Sequence, residues 1–420
     1  MGKVTKVAVA HTDAALGKPG EYSAEQLARV KNMVRELADG SMGGMRNIVK
    51  PGQKVLIKIN TVIPSPPNAG FTTDPRLLEA LIELVKEQNP ARIQIGERSA
   101  MGADTYQAMK TCGIVGVAER TGAELVPFDN VPFDMVTLPD VKTFREFPVP
   151  RPVREADVYI GLPKMKTHLH TVLTCALKLQ FGNLPNYDWM VRSHRDDIHQ
   201  KIVNLSRAAH PTWFLVDSLY ACQGAGPFSP YPEDLFKDFN TLVAGPDPTA
   251  VDTVVEALMD WDNPGTNTPY IRLAASQGFG TNRLEEIELV GVPIGSVKRK
   301  FRKADTNLHG VFPGVGVIMG AACEPGCRAL VRLALDTVYA EGTLAKLKRP
   351  LTIFVGKQFD VVNDAEGDVI IYGDCAAPVR ELYPSAPYWG STDEYPHCSA
   401  IWSNLPGIGL ADHIRSLANG

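Results

Sequence analysis

Long apolar runs are missing from this chain of 420 residues. The longest, Val311 to Cys323, is broken by Pro313, Gly314, Gly316 and Gly320, and it falls short of the roughly 20 apolar residues that a bilayer-spanning helix needs. No membrane partner is expected. A basic excess is missing too: 43 Lys and Arg stand against 47 Asp and Glu, a formal net charge of −4. Such a balance gives no general attraction to nucleic acid or anionic lipid, so the expected partner is a small soluble molecule. The opening MGKVTKVAVAH turns polar at Thr12 and Asp13, without the apolar core and cleavage site of a secretory signal. Lys6 stands where a myristoylation motif requires Ser or Thr. A cytoplasmic location is expected. Seven cysteines, an odd number, read as reduced thiols or metal ligands rather than a disulfide framework. No Walker A motif and no GxSxG nucleophile elbow occur. The glycine-rich stretches GAGP (Gly224 to Pro227), QGFG (Gln277 to Gly280) and PGVG (Pro313 to Gly316) lack the strand–GxGxxG–helix context and read as turns.

What is present is ordinary globular material, with 44% hydrophobic and 21% charged residues. Domains usually hold about 100–200 residues, so the length suggests two. Short apolar runs alternate with amphipathic stretches. Lys54 to Ile59 reads as a buried strand. Leu77, Leu78, Leu81, Ile82 and Val85 fall at helical spacing within Thr73 to Gln88, with Asp74 as N-cap and Pro75 at the first helical position. Ala91 to Ile95 is the next strand, and such a succession implies parallel strands joined by a right-handed crossover. Asp157 to Gly161, Trp213 to Val216, Thr241 to Ala244 and Glu286 to Val290 continue the series. The fold expected is α/β, with a mainly parallel, doubly wound sheet over residues 1–295. The basic run Lys298 to Lys303, read as a solvated linker, follows the boundary. A smaller α/β domain over 296–420 contains a helix from about Arg328 to Glu341 and strands Leu351 to Val355 and Val369 to Tyr372. Asp247 and Asp252 read as helix caps.

The chemistry concentrates between Ala156 and His199, where a strand ending at Ile160 is followed by Lys164, Lys166, His168, His170, Lys178, His194 and His199. Carboxyl ends of strands in open α/β sheets are where connecting loops converge on ligands. Lysine offers a cation for an oxyanion, or a desolvated amine able to form a covalent bond. Neutral imidazole can bind a transition metal or exchange protons near neutral pH. Leu177, Leu179 and Phe181 surround Lys178 with apolar neighbours and favour a buried amine. Each of these residues taken singly could equally serve the fold, as a hydrogen-bonded loop histidine or a lysine snorkelling from the sheet. A whole cluster of ionisable groups in an apolar setting has a desolvation cost that points to use.

The stretches VLIKIN (Val55 to Asn60), TTDPRLLEALIELV (Thr72 to Val85), ADVYIGLPKMKTH (Ala156 to His168), ALKLQFGNL (Ala176 to Leu184), the Arg195/His199 region, FLVDSLYACQGAGP (Phe214 to Pro227) and AGPDPTAVDTV (Ala244 to Val254) resemble domain-of-unknown-function family 362 over roughly the first 290 residues. More distantly, the chain is similar to lactate racemase and its relatives, in which a lysine carries a nickel-pincer nucleotide derived from nicotinic acid. This resemblance implies Lys178 as the attachment point, His194 as a nickel ligand and His168 as the acid/base group. Glu97, in IGERSA, stands where that family has its other acid/base histidine, and CALKLQ replaces its glycine-rich sequence. It also implies hydride transfer from a hydroxy acid's α-carbon to the pincer ring while an imidazole takes the hydroxyl proton.

The expected catalytic residues are therefore His168, Lys178 and Glu97. Lys178, Lys164 and Lys166 would hold a cofactor or anion, with His194 and His199 as ligands of nickel or iron. The C-terminal part adds Cys323, Cys327, Cys375 and Cys398, whose soft thiolates suit an iron–sulfur cluster or another metal. Buried free thiols are the plainer reading. The function expected is that of a metal-dependent isomerase or oxidoreductase acting on a small hydroxy acid or other oxyanionic substrate. Two alternatives stand beside it: an iron–sulfur electron-transfer protein, and a non-catalytic protein that binds a small ligand. Substrate identity and oligomeric state are open.

Overall fold

The computed structural model describes residues 5–100, 103–141, 144–194, 197–322, 326–359, 365–393 and 409–420. The chain divides into two units. The first comprises Met1–Met190, Asp197–Pro227 and Glu233–Lys303; the second comprises Val191–Asp196, Phe228–Pro232 and Ala304–Gly420.

In the first unit the apolar runs pair into one large sheet. Its main path runs Ile287–Gly291, Thr5–His11, Thr241–Gly245, Trp213–Cys222, Val158–Gly161, Lys54–Lys58, Arg92–Glu97 and Glu124–Pro127. Every neighbouring pair on this path is parallel except the two made by Thr241–Gly245, which runs against both its neighbours. Side chains alternate across the sheet as strand geometry requires. Val55, Ile57, Ile93 and Ile95 join the core under helices Ala24–Met42, Pro75–Lys86 and Ile114–Thr121. On the opposite face, Leu56 and Tyr159 pack with helix Ile198–Ala209, while Val7, Val9, Phe214 and Val216 pack with helix Pro248–Leu258. The mainly parallel, layered α/β architecture is therefore present. Helix Pro75–Lys86 starts where its sequence indicates: Asp74 accepts a hydrogen bond from the Arg76 amide, and Pro75 occupies the first turn.

Winding reverses at the centre of this sheet. From Lys54–Lys58 the chain passes through helix Pro75–Lys86 to Arg92–Glu97 on one side, whereas from Val158–Gly161 it proceeds to Trp213–Cys222 on the other. Such a switch point opens a crevice at the carboxyl ends of two adjacent strands. Lys164–His168, whose residues have no apolar alternation to announce a strand, adds to the sheet there and pairs in parallel with the upper half of Trp213–Cys222. It then turns back through an antiparallel pairing with Val172–Thr174.

The second unit has its own four-stranded parallel sheet, in the order Val315–Met319, Leu351–Val355, Asp368–Tyr372, Tyr388–Trp389. Helices Gly326–Ala340 and Leu410–Asn419 belong to the same unit. The glycine-rich run read as a turn at Pro313 to Gly316 leads directly into the first of these strands. Among the described residues, no helix is long and apolar enough to cross a membrane.

Candidate active site at the switch point

Lys58 and Glu97 are the last residues of two adjacent parallel strands, and both are buried. They form an ion pair, and Lys58 Nζ also donates to the Ile59 carbonyl at 2.9 Å. Burial pushes the Glu97 carboxyl up to about 8, against the pull of Lys58. Burial likewise lowers the Lys58 amine. Gly182 covers this pair so closely that a methyl group there would collide with Lys58 Nζ and Glu97.

One strand further along, Lys164 Nζ lies 3.0 Å from Asp217 Oδ1. The other oxygen of Asp217 accepts the Asp74 amide at 2.7 Å. Asp74 in turn pairs with Arg76 at 2.5 Å, and Arg76 donates to the carbonyls of Leu16 and Gly17 while lying over the Tyr220 ring. All of these side chains, Tyr220 included, are buried. The carboxyl edge therefore holds three closed pairs, Lys58–Glu97, Lys164–Asp217 and Arg76–Asp74.

Two buried amines remain outside that pairing. Lys166 Nζ donates to Asn60 Oδ1 at 3.0 Å and to the Phe71 carbonyl at 2.7 Å, both neutral acceptors. Burial lowers Lys166 to about 7; Lys164 adds to the fall, and Cys222, Glu97 and Asp217 oppose it. Lys178 opens the 3₁₀ turn Lys178–Asn183 and is 7% exposed. Among the described residues its amine has no hydrogen bond or ion pair. Burial pushes Lys178 well below the ordinary lysine value, and the charge of Lys166 adds to this.

The turn that carries Lys178 is anchored on several sides. Asp252 accepts the amides of Ala176 at 2.7 Å and Leu177 at 3.1 Å. It sits inside helix Pro248–Leu258, so it is not the helix cap expected from its sequence position; Asp247 alone caps that helix, through the amides of Thr249 and Ala250. Further along the turn, Tyr159 donates to Gln180 Oε1 at 2.7 Å and Asn183 donates to the same oxygen at 2.9 Å.

The histidines divide. His168 ends its strand, 5% exposed; its Nδ1 accepts the His170 amide at 3.0 Å, and the two rings lie 5.7 Å apart. His199, in helix Ile198–Ala209, lies against Tyr270 and has a buried Nδ1 with no partner among the described residues. Burial, reinforced by Lys178, lowers His199 to about 4, so its ring is neutral at cellular pH. His194 closes helix Tyr187–His194 and belongs with the second unit. In that unit a Cβ at Gly373 would lie 3.1 Å from Cys327 Sγ and 3.8 Å from Cys375 Sγ, so the two sulfurs are no further apart than the sum of those distances. Cys323 and Cys398 lie outside the described residues. Among the described residues no three His, Cys, Asp or Glu side chains gather as a metal ion would require.

Sequence reasoning picked out Lys164, Lys166, Lys178, His168 and Glu97 but passed over Lys58, Asn60, Asp74 and Arg76. Lys58 left a signal in VLIKIN, a charged residue inside an apolar strand.

Residues 55–256 match the model of the family described as Domain of unknown function (DUF362). The chain is 27% identical over 246 residues to a thylakoid-associated protein of Synechocystis sp., an alignment covering 57% of this chain and 72% of that one. Among solved structures, the lactate racemase apoprotein of Thermoanaerobacterium thermosaccharolyticum matches at 15% identity and a TM-score of 0.34, over 51% of this chain and 52% of its own. A Thermotoga maritima protein matches at 13% identity and a TM-score of 0.32, over 49% and 51%. The chain thus spans about half the length of the solved structures it matches.

Proposed function

We propose that the unit carrying the DUF362 segment is an enzyme that binds a small carboxylate-bearing substrate, a hydroxy acid or its oxo counterpart, at the carboxyl edge of its sheet and acts on it by proton transfer. The observation that carries this reading is the charge inventory of that edge. Three cations have buried carboxylate partners, while Lys166 and Lys178 have none. Burying an amine without a counter-charge is costly, and an anionic ligand between the two would offset that cost. Lys166, poised near neutrality, supplies a cation for the substrate carboxylate. Glu97, held near 8 beside Lys58, is a proton store matched to cellular pH.

The nickel-pincer nucleotide implied by the resemblance to lactate racemase fits these residues only in part. Its attachment needs an uncharged amine, which Lys178 provides. For its nickel the resemblance implies His194, which belongs with the second unit. Glu97, in place of the second acid/base histidine, is committed to Lys58. The chemistry proposed here runs through the chain's own side chains.

Calorimetric titration with L-lactate and with pyruvate tests the reading. Lys166→Met and Lys178→Met should each weaken binding about tenfold or more, the worth of one charge-assisted hydrogen bond. Unchanged affinity in both variants would remove the anion site. Binding lost in Lys178→Met, with no turnover of any hydroxy acid or oxo acid by the wild type, would turn the reading to a non-catalytic ligand-binding protein. A second reading concerns the other unit, where the approach of Cys327 and Cys375 to Gly373 favours a thiolate-bound iron–sulfur cluster or metal. Anaerobic purification with iron and sulfide analysis decides it, and a colourless, iron-free protein would end it.

A further inference from the structure

We infer that Lys178 is a covalent nucleophile whose amine condenses with the carbonyl carbon of a small 2-oxo acid while Lys166 holds the acid's carboxylate. This rests on the anion site proposed above and adds to it a bond and a substrate class.

The placement of Lys178 sets it apart from the other buried lysines of the same edge. Lys58 and Lys164 have carboxylates, and Lys166 has two oxygens at hydrogen-bond distance. Lys178 is only 7% exposed, yet its amine has no acceptor among the described residues. A lysine retained for the fold alone would lower its burial cost through such an acceptor. An amine lacking one stays uncharged, and its lone pair is available to attack. A second cation close by favours that state, and Lys166 is close enough to do so.

The backbone beneath Lys178 is built for position. Two amides immediately before it are fixed by Asp252, and the Leu179 amide donates to the Cys175 carbonyl at 3.1 Å. Further on, the turn is pinned by the Tyr159–Gln180–Asn183 hydrogen bonds and by the tight seat of Gly182 over Lys58 and Glu97. A nucleophile on a rigid turn needs little reorganisation to reach a near-attack geometry.

The step balances without an oxidant or reductant. The Lys178 nitrogen forms a bond to the carbonyl carbon, and the C=O π pair moves onto oxygen, which takes up a proton. The nitrogen then releases its proton and water departs, leaving an imine. The protons on the carbon next to the imine become acidic and exchange with solvent, as an imine accepts the electron pair they leave behind.

The test uses the full chain and pyruvate as the probe. Wild-type protein is incubated with pyruvate, quenched with borohydride and analysed by intact mass and peptide mapping, with L-lactate titrated in parallel because it has no carbonyl to condense. The expected result is one reduced pyruvate per chain, on Lys178, competed away by lactate. Lactate binding without any label on Lys178 would overturn the covalent role and leave the anion site standing. Absence of both would overturn the two together. Lys178→Arg, which loses the nucleophilic amine, should take no label at that position. A label of equal yield elsewhere in that variant would also count against Lys178.

Discussion

The Lys58–Glu97 pair offers the sharpest test, because its structural and chemical roles can be separated. Both side chains are essentially inaccessible, and beyond Lys58 the charge of Lys166 also bears on Glu97. Replacing one partner leaves the other dehydrated and without its hydrogen bond, so Lys58→Met or Glu97→Met should each cost about 1–3 kcal/mol. Replacing both with methionine removes the mismatch and fills similar volume, and the double variant should fall within about 1 kcal/mol of wild type. Amide exchange of strands Lys54–Lys58 and Arg92–Glu97 under increasing urea reads this in the first unit alone. The dependence on pH has a defined sign. The folded Glu97 keeps its proton up to about 8, whereas an unfolded glutamate loses it near 4.5. Its contribution to stability is therefore present in full below 4.5 and is lost as the pH rises to 8. Glu97→Met should flatten that stretch of the stability curve. If Glu97 also moves protons on the substrate, the stable double variant should exchange pyruvate methyl protons with deuterated water at least a hundredfold more slowly than wild type, by proton NMR. Single substitutions costing under about 1 kcal/mol would refute the buried-pair reasoning. Undiminished exchange in the double variant would confine Glu97 to a structural role.

Three other outcomes follow from the same edge. With Lys166 titrating near 7, its charge is mostly present at pH 6 and mostly gone at pH 8, so lactate affinity should fall about tenfold across that interval by calorimetry, and Lys166→Met should abolish the slope. Asp252→Asn leaves one of the amides of Ala176 and Leu177 without its acceptor, which should cost about 1–3 kcal/mol in thermal unfolding and slow pyruvate trapping at Lys178 more than it weakens lactate binding. Gly182→Ala forces a methyl into the Lys58–Glu97 pair, and a loss of about 1–3 kcal/mol in urea unfolding is expected, with lactate affinity reduced in step.

Most strands on the main path of the large sheet were legible because buried apolar runs such as KVLIK and VYIG carry a local signature, though Thr5–His11 and Glu124–Pro127 went unread, and Asp74 followed by Pro75 marks a helix start on its own. Strand Lys164–His168 was not legible as a strand, since all five of its residues are buried and no polar–apolar alternation survives. The reversed direction of Thr241–Gly245 has no sequence mark either, because strand direction is a property of the connections. Site lysines could be named from their density, but their partners could not. Glu97 is 39 residues from Lys58, and Asp217 is 143 residues from the Asp74 amide it accepts, separations that local periodicity cannot bridge. Asp252 shows the same limit: its spacing suggested a cap, and only the approach of Ala176 and Leu177 reveals what its oxygens hold.

Two ion pairs shut away from water along one rim, Lys164–Asp217 and Arg76–Asp74, should also give this protein a distinctive response to heat. Hydration of charged groups becomes less favourable on warming, so the penalty for having dehydrated them shrinks while apolar burial gains little. The rim around Arg76 and Lys164 should therefore tighten relative to the rest of the layered core as temperature rises, keeping the carboxyl edge of the sheet in shape when peripheral elements have begun to loosen.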